Sequence, residues 1–165
     1  IDERHGVLYL CGHIMRRSEH HLALEANPHA LVLFTGGHAY VSASWYTDPR
    51  MASTWNYLTV QASGSVRFGG EGELLSILRR TTDHFEGSDD TPASMKHMSA
   101  DYIERMMKAI VHFEVKVEAL EHVFKVSQNR DAASKASIIE HLENGNANDR
   151  EIARVMRDGG YRPKP

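Results

Sequence analysis

Trp45 and Trp55 are the chain's two tryptophans, ten positions apart, with Tyr46, Asn56 and Tyr57 as sequence neighbours. Aromatic faces beside amide and hydroxyl groups suit a flat ligand that is stacked upon and hydrogen-bonded at its edges. The plain alternative is that each indole is core, the usual fate of a tryptophan on a strand. The polar set Ser42, Ser44, Thr54 and Asn56 weighs toward the ligand. Arg16 follows the apolar run VLYLCGHIM, with His13 three residues before it. A guanidinium there could meet an anion bidentately. Its alternative role is a solvated surface cation. Gln128-Asn129-Arg130 is a turn rich in donors, which otherwise reads as a turn before a helix capped by Asn129.

Other chemistries find no support. Histidine is abundant at 11, yet no HExxH or CxxC spacing occurs, and the adjacent His20-His21 cannot chelate from one helix face. No metal site is expected. No nucleophile, base and orienting group stand in a recognisable set, so no catalytic residue is assigned. The glycines form neither GxGxxG nor a P-loop, which excludes a Rossmann or Walker reading. A net charge of −3 over 165 residues provides no global basic field for nucleic acid. The single cysteine, Cys11, cannot form an internal disulfide and suits a reducing, cytoplasmic setting. Within VLYLC it reads as a buried, inert thiol. No apolar run approaches the about 20 residues that span a bilayer.

The elements that must position these residues follow from periodicity. From Asn56 the alternation is strict, with Leu58, Val60, Ala62, Val66 and Phe68 on one face, as in a half-buried strand. Residues 38–46 alternate too and predict its partner strand, so that the indoles flank the joining loop. Residues 7–15 predict a buried strand and 31–35 a short one, with Gly36-Gly37 as a hairpin signal. Residues 16–29 predict a polar helix stopped at Asn27-Pro28. Leu74, Leu75, Leu78, Thr82 and Phe85 repeat at helical spacing up to Gly87. SDDTP (88–92) is a loop or a helix start, and Ser99 a candidate N-cap. Val111, Phe113, Val115 and Val117 predict a strand whose outer face carries His112, Glu114, Lys116 and Glu118. A separate strand is expected over 122–127, then a helix over 132–142. A last helix is expected to open on a capping box of Asn148 and Glu151, and YRPKP reads as a disordered tail. About six strands with helices outside them predict an α+β, mainly β, barrel rather than a βαβ sheet.

SASWY followed by TWNY, CGHIMR at 11–16 and KVSQNR at 125–130 together resemble the PaiB family of bacterial flavin-binding proteins. Ala43 and Ser53 stand where that family usually has proline. The chain opens at Ile1 in what reads as mid-protein, and the family's first helix and first strands are expected to be missing from it. The resemblance implies a split β-barrel of the pyridoxamine-phosphate-oxidase-like flavoprotein type, as one domain over 1–165. The barrel would occupy about 1–127 and a helical segment about 128–160. It implies FMN as cofactor, held by His13, Arg16, Ser44, Trp45, Tyr46, Thr54, Trp55, Asn56, Gln128, Asn129 and Arg130. The phosphate would meet Arg16 and the ring would lodge between the tryptophan strands. It further implies a homodimer with flavin at the interface and a negative transcriptional regulator. The alternatives are a flavin reductase or oxidase of the same barrel family and, more remotely, a haem-binding barrel. DNA contact has thin support: Lys135, Arg150, Arg154 and Arg157 are the basic residues of the C-terminal helices.

Overall fold

Five strands, β1 (Asp2–Arg4), β2 (Val7–Met15), β3 (His29–Val41), β4 (Thr54–Phe68) and β5 (Ile110–Lys125), form one sheet in the order β1-β2-β5-β4-β3. Five helices accompany them: α1 (Glu19–Ala26), α2 (Glu71–Glu86), α3 (Ala100–Ala109), α4 (Ala132–Glu143) and α5 (Ala147–Arg157). The fold is α+β, as expected. The structure is a computed structural model, and the description covers residues 1–48, 50–87 and 91–159. The tail and most of the SDDTP segment lie outside these residues.

The chain divides into two compact units, Ile1–Leu31 with Ala62–Ala119, and Val32–Gln61 with the chain from Leu120 on. In the first unit β1 and β2 form a tight hairpin. His5 and Gly6 both have positive φ, 53° and 76°, the backbone that suits a two-residue turn between twisted strands. β2 then pairs antiparallel with β5, setting His13 opposite His112 and Met15 opposite Ile110. α1 starts where the Ser18 side chain accepts from His21 N. α2 ends at Gly87 with φ 73°, a left-handed cap that glycine adopts without a Cβ penalty. α3 starts at the expected Ser99 cap, which accepts from Tyr102 N. Leu74 and Ile77 of α2 bury against Ile110, with Cys11, Leu78 and Met107 around them.

In the second unit Ala39, Val41 and Leu58 pack with Ile138, Leu142, Ile152 and Val155 of α4 and α5. Both helices thus bury side chains in one core with β3 and β4, α5 through a strongly amphipathic face.

Several boundaries differ from expectation. Gly36-Gly37 is no hairpin but lies inside β3. A Cβ on Gly36 would press on Leu58, and one on Gly37 on Glu151, so these glycines admit close neighbours instead of turning the chain. The signature strand ends at Val41, and Ala43–Trp45 is a 3-10 turn. β5 is continuous where two strands were expected. Its supposed outer face is buried at His112 and Glu114, as the apolar face is at Val111 and Val115. α4 is capped by Asp131, not Asn129. The capping box of α5 joins Asn146 and Asp149, two residues ahead of the pair expected.

Candidate functional site

A cavity of about 1000 Å³ opens in the first unit among α2, α3 and the start of β5. Leu74 and Leu75 from α2, and Ile103 and Met107 from α3, make apolar walls. These positions follow from helical spacing, which turns every third or fourth side chain to the same side. Arg16 stands at the wall. Pairing of Met15 with Ile110 brings it to the end of α3. There its Nε donates to the Lys108 carbonyl at 3.2 Å and its Nη2 to the Ile110 carbonyl at 2.9 Å. A cation at a helix C-terminus is favoured by the unpaired carbonyls there. Two of the five guanidinium N–H groups are used in this way and three remain for an anion. Arg79 and Lys108 add positive charge to the lining, with Glu104 bound to Lys108 at 2.7 Å.

His112 lines the same cavity. It is 4% exposed, and its Nδ1 has no hydrogen-bond partner. Burial pushes its pKa below the ordinary value, so the imidazole is neutral. Gly69 lies directly against it: a Cβ there would fall on His112 Nδ1 and crowd Glu73 Oε2. Glu73 is engaged elsewhere, accepting from Gly70 N at 2.9 Å and pairing with Arg67 at 2.7 Å. The Arg67 hydrogen bond is the main cause that holds the Glu73 carboxyl at about 2.

Sequence reasoning missed His112 because it alternates with apolar residues as a solvent-facing side chain would. The available signal was Glu114 on the same parity, together with basic partners elsewhere. Arg4 and Arg67 bind that buried carboxylate at 2.6 and 3.2 Å. His13, across the ladder from His112, is exposed.

The remaining predicted residues belong to the second unit. The Ser42 hydroxyl accepts from Ser44 N, and Ser53 Oγ accepts from Ala43 N at 2.9 Å. Trp45 stacks on His141 at 4.7 Å, which occupies one of its faces. Tyr46 is buried with its hydroxyl unpartnered, and the Arg130 guanidinium lies 4.3 Å over its ring. Thr54 accepts from Lys125 Nζ. Asn56 is fully buried and bonded to the Ser127 hydroxyl. Gln128 closes its own turn, accepting from Val126 N and donating to the Phe124 carbonyl. Asn129 is exposed. The two signature segments and the SQNR segment thus meet through Tyr46 with Arg130, and Asn56 with Ser127. Trp55 is 53% exposed, with His38 and Tyr40 rings at 6.1 and 5.9 Å. Among the described residues, no three His, Cys, Asp or Glu side chains cluster as a metal site would require.

Residues 1–119 match the family model described as "Putative FMN-binding domain". The chain belongs to this FMN-binding domain family. FMN is the family's cofactor, and the match contains the whole of the first unit with its cavity. The chain is 34% identical over 151 residues to Protease synthase and sporulation protein PAI 2 of Bacillus subtilis, spanning 91% of this chain and 72% of that protein. It is 28% identical over 155 residues to protein AN0679 of Emericella nidulans, covering 84% and 62%. A solved structure from Bacteroides thetaiotaomicron, titled as a 5-nitroimidazole antibiotic resistance protein, aligns at 15% identity with a TM-score of 0.41. That alignment covers 69% of this chain and 60% of the other. An FMN-binding domain needs an anion contact, apolar surface for the ring and polar atoms for its edge. The Arg16 donors, the leucine and methionine walls and the orphaned His112 Nδ1 fit those needs. No helix among the described residues is long and apolar enough to cross a membrane.

Proposed function

We propose that the chain holds FMN in the first unit's cavity, with the phosphate on Arg16, and serves as a flavin-responsive regulator of the PAI 2 kind. The observation that carries this reading is the Arg16 guanidinium, fixed by two backbone carbonyls at the wall of the cavity. A phosphate monoester bears about two negative charges near neutral pH, and a guanidinium already held in place loses little entropy on meeting it. Bound FMN supplies the electron chemistry. The protein's residues bind it, orient it and keep water from its apolar face. Titration of the chain with FMN and with riboflavin, which lacks the phosphate, tests the placement. Arg16→Ala should weaken FMN by roughly 10- to 100-fold, the worth of a charged hydrogen-bonded contact, and leave riboflavin unchanged.

Regulation is supported by the likeness to a protein named for protease synthesis and sporulation. DNA contact through α4 and α5 has little support. Arg150 donates to the Gly145 carbonyl, Arg154 pairs with Asp158 and Arg157 with Glu143. A gel-shift titration at two salt concentrations should therefore show no salt-dependent retention. We place the homodimer contact on the aromatic face of the second unit, where Tyr40, Trp55 and Tyr57 are exposed together. Contiguous apolar surface of this kind marks an interaction site. Trp55→Glu should shift the sedimentation equilibrium toward monomer. The half-buried free thiol of Cys11 agrees with a reducing, cytoplasmic setting.

A further inference from the structure

We infer that His112 is the side chain that hydrogen-bonds the edge of the flavin ring, through Nδ1. This rests on the cavity placement of FMN proposed above. Nearly every buried polar atom in a protein finds a partner, and an exception calls for one. His112 Nδ1 is such an exception, in a residue 4% exposed that lines the cavity. Its neighbours inside the fold do not satisfy it. The Glu73 carboxylate is taken by Gly70 N and Arg67, and Glu114 by Arg4 and Arg67. The main chain on either side is engaged as well, since the His112 carbonyl accepts from Gly69 N at 3.1 Å. Gly69 lies against Nδ1 and carries no side chain there, since any Cβ at that position would fall on the nitrogen.

The chemistry suits the ligand. A neutral imidazole offers one N–H donor and one acceptor nitrogen. The pyrimidine edge of a flavin carries carbonyl oxygens and an imide N–H, so either tautomer finds a match. The arrangement divides the labour: Arg16 meets the phosphate and His112 meets the ring. Comparing FMN with riboflavin separates the two roles.

The test uses the full chain, titrated with both flavins by fluorescence quenching. His112→Leu should weaken FMN and riboflavin by the same factor, about 3- to 10-fold, the range of one neutral hydrogen bond. His112→Asn, whose amide stands close to the position of Nδ1, should restore most of the affinity for both. A role in packing alone would not distinguish leucine from asparagine in this direction. In the wild-type chain the 15N resonance of His112 Nδ1, assigned by its loss in His112→Asn, should move when riboflavin is added. This readout holds even if His112→Leu fails to fold. A resonance that stays fixed while riboflavin binds overturns the inference and leaves the Arg16 placement standing. If Arg16→Ala changes FMN binding no more than riboflavin binding, the placement is wrong, and the inference falls with it.

Discussion

Asn56 and Gly64 are two residues of one strand whose replacement should be costly for unrelated reasons. Asn56 is fully buried in the second unit, and its amide and the Ser127 hydroxyl satisfy each other. Asn56→Ala would leave that hydroxyl buried and unmatched, at a cost of about 1–3 kcal/mol. Urea unfolding should show the loss. Adding Ser127→Ala should cost less than the sum of the two single changes, since the partners act as a pair. In the first unit, a Cβ on Gly64 would fall on the Lys116 carbonyl across the sheet. Backbone cannot give way as a flexible side chain can. Gly64→Ala should therefore destabilise by about 1–3 kcal/mol, as overpacking does, visible as a lower thermal midpoint.

Helix α5 shows how a single cap fixes an element. The Asn146 side chain accepts from Asn148 N and Asp149 N, while Asp149 accepts back from Asn146 N at 2.9 Å. Asn146→Ala should cost about 1 kcal/mol. Asn148→Ala, at the second residue of the helix and exposed, should stay within about 0.5 kcal/mol. Denaturant midpoints of the two variants decide where the helix begins. The packing of Ile152 and Val155 into the core depends on that start, because a shift by one residue turns an apolar face about 100°.

For the whole molecule, the network of carboxylates and arginines in the first unit sets the response to acid. Hydrogen bonds from Arg80 chiefly hold Asp2 well below the usual carboxylate range. Burial works against ionisation of Glu114, but Arg4 and Arg67 hold it low all the same. Glu73 moves from 4.5 to about 2. A carboxyl whose pKa is lower folded than unfolded contributes stability above its unfolded pKa, and loses it as pH falls through the folded value. The thermal midpoint should therefore hold above about pH 4.5 and fall between there and about 2. Arg67→Ala should make that fall shallower, because Glu73 and Glu114 would lose their shared partner. Melts across this range, with circular dichroism as the probe, give the slope directly.

What the sequence determined by itself is whatever depends on near neighbours. The even-numbered alternation from Asn56, the left-handed cap at Gly87, the Ser99 cap and the helical period of α2 are all governed by contacts within a turn or a strand pair. The motifs CGHIMR, SASWY, TWNY and KVSQNR were likewise legible, and the family followed from them. Tertiary structure decided what remote groups impose. Gly36-Gly37 carries the composition of a turn, but it lies in a straight strand where Leu58 and Glu151 pack close against it. His112 and Glu114 have the pattern of a wet face, but Arg4, Arg67 and α2 cover them. Which face of a strand is buried is a property of what packs on it, and those partners lie tens of residues away in the chain. The cavity that unites Arg16 with His112 is a consequence of the same kind, since ladder pairing and helix packing create it and no local pattern records it.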